Sequence, residues 1–189
     1  WFKGNTTIKY FDEFGKFTNA QSIPASAFEG DTALEKIDLT KVLSLGSKSF
    51  YGCTSLSFED LQLPNLKTLG QNAFYGVKVK KISNLGKITS IPDGNYKNSL
   101  GVNEEYLESF TLSDTITTIP AYLLYSCKNV SEFNANWENI TSIGKNAFDG
   151  CSSLVIEELS MPSLTTLGIR TFSTVKIGRI TDLGNITTT

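Results

Sequence analysis

Three cysteines, Cys53, Cys127 and Cys151, and three carboxylate pairs, Glu59-Asp60, Glu104-Glu105 and Glu157-Glu158, are the side chains here best suited to chemistry. A thiolate can act as a nucleophile or metal ligand. Paired carboxylates can share the acid and base work of glycoside hydrolysis, or hold Ca²⁺. The partners that such chemistry needs do not accompany them. The chain has no histidine, so Ser-His and Cys-His pairs and the commonest metal ligand are all excluded. There is no Cys-x-x-Cys and no acidic loop with calcium-binding spacing. Neighbours along a strand point to opposite faces, so Glu59-Asp60 and Glu157-Glu158 do not converge and read as solvated. The expectation is a protein without catalytic residues, cofactor or metal.

The elements that carry these residues repeat. Ile23-Pro-Ala-Ser-Ala-Phe-Glu-Gly30 returns as Leu45-Gly-Ser-Lys-Ser-Phe-Tyr-Gly-Cys53, Leu69-Gly-Gln-Asn-Ala-Phe-Tyr-Gly76 and Ile143-Gly-Lys-Asn-Ala-Phe-Asp-Gly-Cys151. The core position falls at Phe28, Phe50, Phe74, Tyr96, Leu124, Phe148 and Phe172, at intervals of 22 to 28 residues. A fixed period in this range marks a solenoid. Each repeat holds a strand with period-two burial, such as Leu34-x-x-Ile37-x-Leu39 or Phe58-x-x-Leu61-x-Leu63, and a shorter extended piece such as Leu66-Lys-Thr-Leu69. The Ala-Phe-x-Gly segment is too short for a long helix and reads as one helical or 3₁₀ turn. The expected fold class is therefore an α/β solenoid, a right-handed superhelix of about seven repeats. Residues 1–22 read as a lead-in or cap, and residues 23–189 as the solenoid, cut within a further repeat. A shift of 98 residues lays Leu45–Ile91 on Ile143–Thr189 with 21 of 47 positions identical, which points to duplication of a block of about four repeats.

The cysteines share one slot in this frame and read as small buried hydrophobes. Cys127 and Cys151 are one repeat apart, which also leaves a disulfide open. The surplus residues Asn98–Glu105 and the intrusion at Asn136-Trp137-Glu138 are expected as surface loops. Trp137 is then either an exposed contact or a lid over the core.

The phrase Leu-x-x-Ile-x-Leu-Pro-x-x-Leu-x-x-Ile-Gly-x-x-Ala-Phe-x-x-Cys, matched well by Asn139–Cys151, resembles the bacterial BspA-like leucine-rich repeat family, over roughly residues 11 to 189. Phe11-Asp-Glu-Phe14-Gly-Lys-Phe17-Thr18 is similar to the lead-in that precedes such repeats. The resemblance implies a secreted or cell-surface, non-enzymatic binding module for adhesion to host or neighbouring-cell components. A spacer without its own ligand and a carbohydrate-binding module are the alternatives. With 17 basic and 19 acidic residues and net charge −2, the chain carries no footprint for nucleic acid or an anionic membrane. No apolar run reaches the ~18 residues of a spanning helix. A monomer with a protein or glycoprotein ligand is expected. The candidate contacts are the polar strand positions Lys36, Asp38, Asp60, Gln62, Lys81, Ser83, Ser109, Thr111, Glu132, Asn134, Glu158 and Ser160, together with Trp137.

Overall fold

A computed structural model of the chain describes residues 1–11, 21–95 and 97–187. The lead-in residues Phe14 and Phe17 and the ring of Tyr96 lie outside them. The chain winds through about seven coils of parallel strands. One face carries β1 (Tyr10–Phe11), β3 (Lys36–Ile37), β5 (Ser57–Gln62), β7 (Lys78–Asn84), β8 (Ser109–Thr111), β10 (Glu132–Asn134), β12 (Val155–Ser160) and β14 (Lys176–Asp182). A second face carries two-residue strands: β2 (Ser22–Ile23), β4 (Ser44–Leu45), β6 (Thr68–Leu69), β9 (Thr118–Ile119), β11 (Ser142–Ile143) and β13 (Thr166–Leu167).

The first face forms ladders β1-β3, β5-β7-β8-β10 and β12-β14, and the second forms β2-β4-β6 and β9-β11-β13. The breaks are staggered. Pairing lost between β3 and β5 is carried by β2-β4, and the gap from β6 to β9 is spanned by β7-β8-β10. Every step between coils therefore keeps a backbone ladder on at least one face.

The segment between the faces is not helical, which corrects the α/β expectation. Among the described residues the only helical stretch is the 3₁₀ turn Trp137–Asn139. Amides do bond three residues back, as Glu29 does to Ser26 at 3.2 Å and Asp31 to Phe28 at 3.0 Å. Left-handed residues interrupt each such turn: Ser26 at φ 57°, Lys48 at 57°, Asn72 at 55° and Asn146 at 55°. This backbone cannot continue a right-handed helix. It frees alternate amides to donate to the next coil: Ser26 to Ser47 at 3.0 Å, Phe28 to Ser49 at 2.8 Å and Gly30 to Tyr51 at 2.7 Å. Each non-glycine residue held this way costs on the order of 1–2 kcal/mol, so the hydrogen bonds and core around it must over-determine the geometry. Gly70 marks the tightest approach, because a Cβ there would overlap the Ser47 backbone.

The interior is a column of rings. Phe28, Phe50, Phe74 and Phe148 are fully buried. Phe28 stacks on Phe50 at 5.2 Å, Phe50 on Phe74 at 5.6 Å, and Phe148 on Phe172 at 5.3 Å, all within 11° of parallel. Phe172, at the last of the core positions, is only partly buried, since no described coil stacks on its outer side.

The surplus at Asn98–Glu105 does not project from its start. Asn98, Ser99, Leu100 and Val102 are at most 2% exposed. Leu100 and left-handed Gly101 (φ 75°) accept from the amides of Phe74 and Gly76. Leu100 thus fills the core slot of the fourth coil. Core positions become Phe28, Phe50, Phe74, Leu100, Leu124, Phe148 and Phe172, spaced 22 to 26 residues apart. Exposed chain lies earlier instead, at Asp93, Asn95 and Lys97.

At the other end, Phe2 donates to Ala27 and Gly4 to Glu29, both at 2.7 Å, and β1 runs parallel to β3. Phe2-Lys3-Gly4 therefore occupies the place that Phe28-Glu29-Gly30 takes one coil later.

Phe50→Ala should cost about 3–5 kcal/mol in urea unfolding, from lost transfer energy and the cavity left behind. The same change at partly buried Phe172 should cost clearly less. Equal losses at the two positions would contradict the stacking.

Candidate functional site

The ladder β5-β7-β8-β10 brings candidate residues into rows. Asp60, Lys81, Ser109 and Glu132 are partners in direct register across its four strands. Thr111 lies beside Asn134 in the next row. Gln62 pairs with Asn84 because the register shifts after Leu61, leaving Ser83 as the extra residue. Ser83 Oγ turns back to donate to Asp60 Oδ2 at 2.8 Å, and Gln62 Nε2 donates to the same oxygen at 2.8 Å. Glu132 accepts from Asn134 Nδ2 at 3.1 Å and Ser109 Oγ at 2.9 Å. These two donors, Asn134 ahead of Ser109, hold the Glu132 carboxyl below its usual range, with a smaller contribution from the Lys81 charge.

The remaining candidates lie elsewhere. Lys36 sits beside Tyr10 on the β1-β3 ladder. Asp38 turns to its own chain, accepting from the amide and hydroxyl of Thr40 at 2.9 and 2.7 Å. Glu158 takes Arg179 at 2.6 Å on the β12-β14 ladder, where Ser160 pairs with Asp182. Trp137 is half-buried, with its ring 5.4 Å from Phe133, 6.2 Å from Phe148 and 6.4 Å from Phe172. It covers the ring column where β10 and β12 fail to pair, which is the lid of its two readings.

One groove is absent from the sequence-based candidates. Phe58, Glu59, Lys78, Lys80, Glu105, Tyr106 and Glu108 help line a cavity of about 340 Å³ beside the central ladder. Lys80 Nζ lies 4.0 Å from Glu59 and 3.9 Å from Glu108. Lys78 Nζ lies 5.6 Å from the centre of the Tyr106 ring, a residue 45% exposed. The alternation Lys78-x-Lys80 at the head of a strand could have signalled it. Tyr106 could not, since it occupies no repeating slot.

The leucine-rich repeat pattern is now visible in the backbone as well as the residues. The BspA type leucine rich repeat region matches in six copies, over residues 21–104 and 102–189. The chain belongs to this family. A solved structure of a leucine-rich repeat protein from Bacteroides ovatus ATCC 8483 is similar at 16% identity, with a TM-score of 0.26. The similarity covers 84% of this chain and 66% of that one, so the chain spans just under two thirds of its length. No curated protein matches the chain.

In this BspA-type chain the cysteines form no site. All three are free and buried. Cys53 Sγ donates to the Phe28 carbonyl at 3.0 Å and Cys151 Sγ to that of Leu124 at 3.2 Å. Burial pushes both thiols up to about 12 and raises Cys127 as well. They are poor nucleophiles. Among the described residues no cluster of three ligand-type side chains could hold a metal, and no helix is long and apolar enough to cross a membrane.

Asp31 is the outlier. It is fully buried in the slot where later coils carry Cys or Val. Its Oδ1 accepts from the amides of Ala33 and Leu34 at 3.2 and 3.1 Å, while Oδ2 has no partner. Desolvation raises its pKa against the lowering effect of those two bonds. Asn5, one coil earlier, makes the same pair of bonds to Thr7 and Ile8 without a charge.

Two outcomes are expected. A thiol reagent should find no reactive cysteine in the native protein and three after denaturation, and early reaction of any one would contradict the burial. Asp31 favours the folded state most below its unfolded pKa of ~3.9, and that advantage fades as pH rises through its elevated folded value. Asp31→Asn should therefore raise the melting temperature at neutral pH, with the gain disappearing in acid. A gain independent of pH would refute the charge-burial account.

Proposed function

We propose that this chain is a non-enzymatic binding module of a secreted or cell-surface protein, engaging protein or glycoprotein components of a host or neighbouring cell through the β5-β7-β8-β10 face. The observation that carries the reading is the register of Asp60, Lys81, Ser109 and Glu132, beside the Phe58–Tyr106 groove. Leucine-rich repeat coils are modules of a protein-interaction type, and a solenoid offers its ligand a continuous strip across several coils. On this strip Asp60 and Glu132 are fixed by neighbouring side chains, so they enter an interface already ordered and lose little rotamer freedom. Exposed Lys81 stands between the two carboxylate columns, and Tyr106 supplies an aromatic anchor of the kind that concentrates binding energy.

A spacer is the second reading. It is favoured by the same hydrogen bonds, because Asp60 and Glu132 already have protein donors. The carbohydrate-binding alternative draws on Trp137, Tyr51, Tyr75 and Tyr125, yet all four are half-buried, Tyr51 stacks on Tyr75 at 4.3 Å, and Trp137 and Tyr125 lie against Phe133 and Tyr122.

The test is a screen of the chain against immobilised matrix glycoproteins and glycans, followed by variants against any ligand found. Combining Lys81→Glu, Ser109→Arg and Tyr106→Ala should lower affinity at least tenfold. Lys145→Glu, on the turn side, should leave it unchanged. With a net charge of only −2, salt should weaken binding moderately rather than abolish it. A ligand indifferent to the triple variant, or no ligand in the whole screen, would favour the spacer.

A further inference from the structure

The groove beside the central ladder holds more acid than base. Glu59, Glu105 and Glu108 stand against only Lys78 and Lys80 there. With the adjoining row of Asp60, Lys81 and Glu132, five carboxylates meet three ammonium groups, a balance of −2 that matches the whole chain. Internal pairing leaves this excess in place. Lys80 is shared by Glu59 and Glu108 at 4.0 and 3.9 Å, and all three side chains are more than half exposed. Exposed pairs at such distances hold their carboxylates only weakly. Among the described residues Glu105 makes no ion pair.

The backbone that presents Glu105 is fixed all the same. Its amide donates to Asn103 Oδ1 at 3.0 Å, and its carbonyl accepts from Asn129 Nδ2 at 2.7 Å. Tyr106, the next residue, is 45% exposed. Lys78 Nζ at 5.6 Å from its ring centre shows that this ring already draws a cation. Phe58 packs edge-on against Phe74 at 6.4 Å, is only partly buried, and forms an apolar wall of the same cavity. An apolar wall, an exposed ring and an excess of carboxylates suit a side chain with an apolar stem and a flat cationic head. Arginine has both, and its guanidinium can stack on a ring while donating to two carboxylates. Lysine offers a point charge and cannot do both at once.

We propose that the groove receives an arginine side chain of the protein partner. Its stem lies along Phe58, its guanidinium stacks on Tyr106, and its nitrogens donate to Glu105 and Glu108. The cavity of about 340 Å³ has room for the whole side chain. The inference rests on the binding-module reading and adds the chemistry that the partner must present.

The test uses acetyl-Gly-Gly-Arg-Gly-Gly-amide as the probe, titrated into the ¹⁵N-labelled chain and followed by amide chemical shifts. Saturable shifts should centre on Lys78, Lys80 and Glu105 to Glu108. The lysine peptide should bind more weakly. The citrulline peptide, which keeps the shape without the charge, should bind about tenfold more weakly. Glu105→Gln with Glu108→Gln should weaken the arginine peptide by a similar factor. Glu138→Gln, which removes the same kind of charge from an exposed turn elsewhere, should leave it unchanged. Circular dichroism checks that the variants are folded. No saturable shift, equal binding of the citrulline peptide, preference for a glutamate peptide, or an equal loss in Glu138→Gln overturns the proposal. The two readings fail separately. A matrix ligand that needs the strand face but ignores the double glutamine variant sinks the arginine and keeps the module. An empty matrix screen beside a bound arginine peptide keeps the groove and sinks the module.

Discussion

The left-handed residue two positions ahead of every core position from Phe28 to Phe172 except Leu100 is the constraint on which the rest depends. A helical turn at Ser26–Gly30 would keep its amides for itself. With Ser26 and Gly30 both at positive φ, the amides of Ser26, Phe28 and Gly30 instead reach the carbonyls of Ser47, Ser49 and Tyr51. The turn thereby becomes a third hydrogen-bonded face, and the coil spacing becomes that of paired strands, ~4.8 Å. That spacing brings successive phenylalanines close enough to stack nearly parallel, and it requires glycine where one coil's backbone crosses another, as Gly70 crosses Ser47. Strain at the left-handed residues is thus offset by hydrogen bonds and packing that are made only between coils. A single coil has neither, which is why such repeats are stable only as an array.

The same repetition limits how much variation each slot accepts. The core slot takes Phe or Leu, and the slot after the left-handed glycine takes Cys or Val, all of which fill similar space without a charge. Asp31 departs from this and keeps its place because its Oδ1 caps the amides of Ala33 and Leu34. Asp149, in the position of Tyr51 and Tyr75, departs differently. It accepts from Ser173 at 2.7 Å, Asn146 at 2.8 Å and Arg170 at 3.1 Å, tying coil six to coil seven. Burial would raise its carboxyl, but these three partners outweigh that and lower it. One carboxylate is tolerated as a local cap and the other is used as a cross-link.

Periodicity made the architecture legible and misled where it was read too literally. Period-two burial in Leu61-x-Leu63 and the recurring Ala-Phe-x-Gly marked strands, core column and parallel stacking before any coordinates. Short turns can be helical or left-handed with the same residues, because Ser, Lys and Asn permit both, and only the stacked neighbour decides. Coil four went astray for a related reason. Tyr96 looked like the expected aromatic, yet Leu100-Gly101-Val102 has the apolar residue, the left-handed glycine and the valine in the order of Phe74, Gly76 and Val77. Of the candidate site, alternation along strands identified the residues on the central face. It could not show which strands pair, so Lys36, Asp38, Glu158 and Ser160 were grouped with residues that the ladder breaks separate from them. Tyr106 and the groove depend on one coil departing from its neighbours, information that a repeat average removes.

Those ladder breaks also bear on how a surface of repeats acquires individuality. A perfect solenoid presents the same face at every coil and offers a ligand no preferred register. Here the pairing of β7 with β8 covers only Lys81 and Ile82, whereas β5 pairs with β7 over most of its length. The Glu104–Tyr106 turn occupies the space where the longer pairing would continue. The resulting groove, flanked by the Asp60–Glu132 row, exists at one level of the stack. The irregular coil also interrupts the short-strand face between β6 and β9, and the β7-β8-β10 ladder and buried Leu100 carry the stack across it. Part of the irregular segment, Asn98 to Val102, is buried and keeps the core slot filled, while Glu105 and Tyr106 face water, so specificity can reside there without opening the column that holds the coils together.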